Sequence, residues 1–282
     1  MKMENFDYLK DQLKFNGFGE ELFEALKKGM DSGSENFRLK HEKQYGNDKV
    51  EATLNFRLSD QGNYFFNSYD MALSQGHRDK PLTMTFYVFN DKLKVKDGEP
   101  IPRPTISFKE AFNLLSGRSI YKDVAKLEKK EIFGKTRYVP TGETDKKWLV
   151  IPDFSDKNGN QFKVKQYGKE YGFDLRISSE KYNIKEMQQE DTAVKFLGSL
   201  EKGNHTAATF MTTDGKEKNG YVEAAVRFKD LNLFDDSHKR IRQIETPTEK
   251  VDKKEQKSIS EKNDVDGKPK RARKPAGTKK VA

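Results

Sequence analysis

Ala52-Thr53-Leu54-Asn55-Phe56-Arg57-Leu58 alternates apolar and polar side chains without a break. A period of two places Ala52, Leu54, Phe56 and Leu58 on one face of a strand and Thr53, Asn55 and Arg57 on the other. Upstream, Phe37, Leu39 and His41 share one face of a second strand. Downstream, Asp60-Gln61-Gly62-Asn63 reads as a turn, and Tyr64-Phe65-Phe66-Asn67-Ser68-Tyr69 opens a third strand. In a fourth, Met84, Phe86 and Val88 face away from Thr83, Thr85 and Tyr87. Strands this close, joined by polar turns, predict an antiparallel meander.

Two short helices precede it. Phe6, Leu9 and Leu13 fall at near-helical spacing, and Gly17-Phe18-Gly19 ends that run. Glu20 and Glu21 suit the start of a second helix, whose apolar face is Leu22, Phe23, Leu26 and Met30. Gly29 and Gly33 are expected to break it.

Beyond the meander, Asp97-Gly98-Glu99-Pro100-Ile101-Pro102-Arg103-Pro104 holds three prolines in five residues, which favour extended geometry and predict a boundary or semi-rigid linker. Ser107 and Glu110 have capping-box spacing and open a helix through Phe108, Ala111, Phe112, Leu114 and Leu115 that stops at Gly117. After a charged segment, Trp148-Leu149-Val150-Ile151 reads as a buried strand, and Asp156-Lys157-Asn158-Gly159 as a hairpin turn. The returning strand, Gln161 to Tyr167, is expected to put Phe162, Val164 and Gln166 on one face and Lys163, Lys165 and Tyr167 on the other. A capping-type start at Asn183 and a helix capped by Asp191 and closed by Lys202-Gly203 come next. Strands over Thr206–Thr212 and Gly220–Arg227 follow.

The fold class expected is α+β: short N-terminal helices with an antiparallel meander, then a second small antiparallel α+β unit. The divisions expected are 1–95, a proline-rich linker at 96–106, a second unit at 107–245, and a disordered basic tail at 246–282.

That tail carries most of the charge signal. The chain has 54 Lys+Arg against 45 Asp+Glu. From Thr246 onward the count is 12 against 6, so the body, 42 against 39, is nearly balanced. The last stretch holds Lys268, Lys270, Arg271, Arg273, Lys274, Lys279 and Lys280 and no acid, a composition that binds polyanions by charge. Lys270-Arg271-Ala272-Arg273-Lys274-Pro275 is similar to the minor-groove AT-hook, but Ala272 replaces its glycine and Lys274 separates Arg273 from the proline. Sequence preference is therefore expected to be weak. A secondary candidate interface is the basic, aromatic-interleaved stretch Lys163, Lys165, Tyr167 and Lys169, where bases could stack while lysines hold phosphates. Lysines on a solvent-facing strand also serve simply to discourage edge pairing.

No cysteine is present, which excludes disulfides and thiolate metal sites. The four histidines, His41, His77, His205 and His238, stand far apart in sequence. Asp156, Asn158 and Gly159 lack the flanking acids of a calcium loop, since Phe154 and Lys165 occupy those places. No Gly-x-Ser-x-Gly elbow and no phosphate loop occurs. The expectation is a non-enzymatic, cytoplasmic protein without metal or cofactor and without a membrane segment. With 35% charged and 33% hydrophobic residues the core must be economical, and twenty Phe and eleven Tyr supply it with large rings.

From about residue 105 to 242 the chain resembles domain-of-unknown-function family 3945 of Bacteroidetes conjugative and mobile elements. The resemblance rests on Phe112-Asn113-Leu114-Leu115-Ser116-Gly117-Arg118-Ser119-Ile120-Tyr121-Lys122-Asp123, on Trp148, and on Lys163-Val164-Lys165-Gln166-Tyr167. Tyr171-Gly172-Phe173-Asp174-Leu175 and Leu231-Asn232-Leu233-Phe234-Asp235 extend it. Asn5-Phe6-Asp7-Tyr8-Leu9-Lys10 through Asn67 resembles the segment that often precedes the domain. The resemblance implies genomic company rather than an activity: mobile DNA and its processing genes. The function expected is an accessory protein of a mobile or phage-like element that contacts nucleic acid non-specifically through its tail. The alternative is a protein-interaction or packaging adaptor whose tail is solubilising or binds an acidic partner.

Overall fold

A computed structural model describes residues 2–88, 92–93, 101–102, 105–212 and 214–241. Residues from 242 onward, with the whole of the expected tail at 246–282, and most of the proline-rich stretch lie outside the described residues. The architecture is α+β, as the patterning requires.

Helix α1 (Met3–Phe15) buries Leu9 and Leu13, and α2 (Phe23–Asp31) buries Leu26 and Met30. Gly17 sits at φ +80° and turns the chain so that Phe18 enters the core. Gly29 does not break α2 but lies inside it. Its role is close approach, because a Cβ there would fall 2.5 Å from the Phe37 ring. The meander follows as β1 (Asn36–Tyr45), β2 (Asp48–Leu58), β3 (Tyr64–Ser74) and β4 (Leu82–Tyr87), in spatial order β1-β2-β3-β4 and antiparallel throughout. Ala52, Leu54 and Phe56 are buried on one face, as their spacing predicts. Two-residue strands β5 (Lys92–Leu93) and β6 (Ile101–Pro102) pair with each other.

Helix α3 (Phe108–Leu115) opens with the expected capping box. Backbone N–H and Oγ of Ser107 both donate to Glu110 Oε2, at 2.9 and 2.8 Å. Losing that cap costs about 1 kcal/mol in typical helices. Ser107→Ala is therefore expected to lower the unfolding free energy by roughly 0.5–2 kcal/mol in urea denaturation. An unchanged midpoint would mean that Lys122, which also binds Glu110 at 3.0 Å, holds the helix start unaided.

The first core does not end at the proline-rich stretch. Phe108, Ala111, Phe112, Leu114 and Leu115 pack with the meander, and Phe108 N–H donates to Asn16 O at 2.8 Å. Two long strands come next, β7 (Ile120–Ile132) and β8 (Lys135–Val150). Then β9 (Lys157–Asn158) and β10 (Gln161–Phe162) form a tight hairpin, and β11 (Lys165–Tyr167) pairs with β8. The single strand expected over 161–167 is thus divided, since Phe162 joins the first core while Tyr167 joins the second.

The second core is closed by α4 (Leu175–Glu180), α5 (Glu190–Glu201) and the sheet of β12 (Thr206–Met211), β13 (Glu217–Ala225), β14 (Asp230–Asp235) and β15 (Arg240–Ile241), ordered β12-β13-β14-β15. Asp191 is not the cap of α5 but a first-turn residue; the capping position is Gln189. An acid there still interacts favourably with the helix dipole. The expected start at Asn183 is a short 3-10 turn, Lys185–Met187, with Asn183 held at φ +47° by a side-chain bond to Met211 O. Strand β8 serves both cores by simple alternation. Leu149 and the following Ile151 face the first, Trp148 and Val150 the second. Fully buried Asn113 ties the halves, its amide donating to Lys202 O at 2.7 Å and Asn204 Oδ1 at 3.0 Å.

Candidate nucleic-acid interface

The seven tail cations, Lys268, Lys270, Arg271, Arg273, Lys274, Lys279 and Lys280, lie outside the described residues. The secondary candidates are placed, and they do not form one platform. Lys163 is exposed and faces Asp156 at 3.4 Å. Lys165 lies 5.0 Å from the Tyr167 ring centre, and Lys169 is exposed on the next turn. Tyr167 itself is only 7% exposed and packs against Tyr171 at 4.5 Å. Its ring belongs to the second core and is closed to a stacking base. The alternation that suggested otherwise is interrupted where the chain passes from β10 to β11.

A different basic surface is present, one that the sequence left as an undescribed charged segment. Strands β7 and β8 run on past the body as a two-stranded ribbon. From Lys126 to Tyr138 every residue except Ile132 is exposed. Seven residues of strand from Lys126 to Ile132 carry the arm about 23 Å. Its tip is a two-residue turn, Phe133-Gly134, with both residues at positive φ, +52° and +70°. That is the mirror-image turn whose twist matches paired strands.

The cross-strand register sorts the charges. Lys130 stands opposite Arg137, and Ile132 opposite Lys135, so three cations share one face. Glu128 is on that face too and pairs with Lys130 at 2.6 Å. Arg137 and Lys135 have no ion pair among the described residues. The other face carries Lys129 opposite Tyr138, which is 65% exposed. Between Lys129 and Tyr138 there are four cations and one acid.

No known family model, no characterised protein and no solved structure matches this chain. The surface must be read from its own chemistry. Like charges directly opposite on a sheet repel, and on this face Glu128 offsets Lys130 alone, leaving Arg137 and Lys135 without a counter-charge among the described residues. Phe133 adds two further costs. It is 97% exposed, and a bulky side chain is strained at positive φ. Cations set face to face and an aromatic ring at the tip are features that an external polyanion with stacking bases would turn to advantage.

Sequence reading also missed a meeting of histidines. His205 Nε2 and His238 Nδ1 are 3.1 Å apart, although 33 residues separate them. No group of three or more His, Asp or Glu residues among those described is placed to hold a metal ion. No helix among the described residues is long and apolar enough to cross a membrane.

Proposed function

We propose that this protein binds nucleic acid, largely without regard to sequence, as a non-enzymatic accessory protein of a mobile or phage-like element. Two basic parts carry the polyanion: the C-terminal run from Lys268 to Lys280, and the cationic face of the β7–β8 ribbon. The observation that carries the reading is the Lys130–Arg137 cross-strand pair beside Lys135, a repulsive arrangement that phosphates would relieve. A two-stranded ribbon also fits the width of the duplex major groove, about 12 Å. The mobile-element setting is what the family resemblance implies.

The test is a titration of wild type and of the triple variant Lys130→Gln, Lys135→Gln, Arg137→Gln against duplex and single-stranded DNA. The variant should bind more weakly, with a log–log salt slope shallower by about 2.7 on duplex, at roughly 0.9 per phosphate contact. Its melting temperature should change little, because the Lys130–Arg137 like-charge pair and the exposed Lys130–Glu128 ion pair are lost together. Equal affinity of the two proteins would move the contact off the ribbon. If the wild type fails to bind any DNA, the adaptor role, with an acidic protein as partner, replaces this one.

A further inference from the structure

A cleft of about 880 Å³ lies where the two halves of the protein meet. Its walls come from elements far apart in sequence. Tyr45 ends β1, Lys109 lies in the first turn of α3, and Arg118 follows that helix. His205 precedes β12, Glu223 lies on β13, and His238 sits in the turn between β14 and β15. The volume falls within the range of small-ligand sites, roughly 300–1,000 Å³.

The polar groups here are tightly arranged yet incompletely used. Glu223 Oε1 meets His205 Nδ1 at 2.9 Å and lies 3.6 Å from Arg118 Nη1. The second imidazole nitrogen of His205 faces His238 at 3.1 Å. Both imidazoles stack on Tyr221, at 4.7 and 4.3 Å. Glu223 Oε1 is thus shared between a guanidinium and an imidazole, and its negative charge offsets both. Arg118 donates Nη2 to Asn113 Oδ1 at 2.8 Å, and its buried Nε has no partner among the described residues. A guanidinium carries five donors in a fixed fork, and burying one without partners costs stability.

Lys109 is the second anomaly. Its ammonium stands 3.8 Å from the Tyr45 ring centre and 4.5 Å from that of Phe112, and it makes no ion pair among the described residues. Burial, together with the nearby charges of Arg118 and Lys43, lowers its pKa to about 8. A cation in the first turn of a helix is also at the unfavourable end of the dipole. The acid that remains at the cleft, Asp48, is held by the side-chain amide of Gln75 at 2.9 Å.

We infer that this cleft is a binding site for a phosphate-ended ligand of nucleotide size, with Lys109 and Arg118 holding the phosphate and the His205–His238 pair flanking it. An arriving dianion would give Lys109, now held by two aromatic rings, a counter-charge and would accept from the spare Arg118 donors. The planar guanidinium suits two phosphate oxygens at once, while the ammonium acts as a point charge. Glu223 keeps His205 oriented through Nδ1, and His205 Nε2 is taken by His238 Nδ1, so the two rings border the cleft as a pair. Two sources share this chemistry: a free nucleotide and the phosphorylated end of a nucleic-acid strand.

The experiment is calorimetric titration of the full chain with inorganic phosphate, AMP, adenosine, and a short single-stranded oligonucleotide with either a 5′-phosphate or a 5′-hydroxyl. Inorganic phosphate and AMP should bind and adenosine should not. Tighter binding of the 5′-phosphorylated strand than of its 5′-hydroxyl counterpart, lost in Lys109→Met, would identify a strand end as the ligand; equal binding of the two strands beside AMP binding that Lys109→Met weakens would identify a free nucleotide. Lys109→Met should weaken AMP binding by about tenfold or more, the worth of one charge-assisted contact. Lys109→Arg, which keeps the charge, should restore most of it. The tail and ribbon are identical in these proteins, so the difference reports the cleft alone. The ribbon triple variant should bind AMP as the wild type does. Equal AMP binding by wild type and Lys109→Met overturns the inference, as does no response to any phosphate-bearing probe. A response to succinate as strong as that to phosphate would also overturn it, since the site would then be selecting charge without phosphate.

Discussion

Raising the salt fourfold, from about 50 to about 200 mM, should weaken duplex binding on the order of 10⁵-fold if the seven tail cations and the three on the ribbon face all meet phosphates. The figure follows from counterion release, in which ten contacts at roughly 0.9 each give a slope near −9. Deleting Lys268–Ala282 leaves three contacts, so the same change in salt should then cost only about 40-fold. The deletion should leave the melting temperature unchanged, because the removed residues include no aromatic side chain and only one large aliphatic, Val281. Fluorescence anisotropy with a labelled duplex reads both slopes. A full-length slope near that of the truncated protein would exclude the tail from the contact. A truncated slope near zero would exclude the ribbon.

The second large effect concerns stability. Phe18 is 2% exposed and meets Phe66, Tyr69 and Phe108 at ring-centre distances of 5.8, 5.2 and 5.3 Å, with His41 at 5.5 Å. It therefore joins the α1–α2 loop, two strands of the meander and helix α3 in one cluster. Truncating a fully buried Phe costs about 3–5 kcal/mol, from lost transfer energy and the cavity left behind. Phe18→Ala should lower the unfolding free energy of the chain by that amount in guanidinium denaturation. A loss under about 1 kcal/mol would mean that the surrounding rings collapse into the space, and that Phe18 is not the keystone its contacts indicate.

The meander could be read from the chain because one of its faces is buried, so that burial writes a period of two into Ala52–Leu58 and Met84–Val88. The capping box at Ser107 could be read because it is purely local. The ribbon could not. Both of its faces meet water, and Lys126–Tyr138 therefore carries no apolar period; its turn, Phe133-Gly134, is not among the common turn pairs either. The cleft was hidden for another reason. His205, Glu223 and His238 come together only through the pairing of β12, β13 and β14, and Lys109 joins them only because α3 packs on the meander. The proline-rich stretch suggested a division at 96–106, yet apolar residues on both sides of it pack into one core. Composition marks a change of chain character there, and says nothing about which residues bury which.

The two-faced strand β8 has a consequence for the order of synthesis. The meander is complete by Tyr87, but its core is not closed until Phe108–Leu115, Leu149, Ile151 and Phe162 have been made. At roughly 5–20 residues per second, some 75 further residues take about 4–15 s. During that time the part of the sheet face that α1 and α2 leave uncovered stands open on the ribosome, with the β4 edge that will later bond Asn160 and Gln161 still free. A nascent chain stalled between residues 90 and 150 should therefore be a strong client for holding chaperones, and one stalled well beyond residue 200 a weak one.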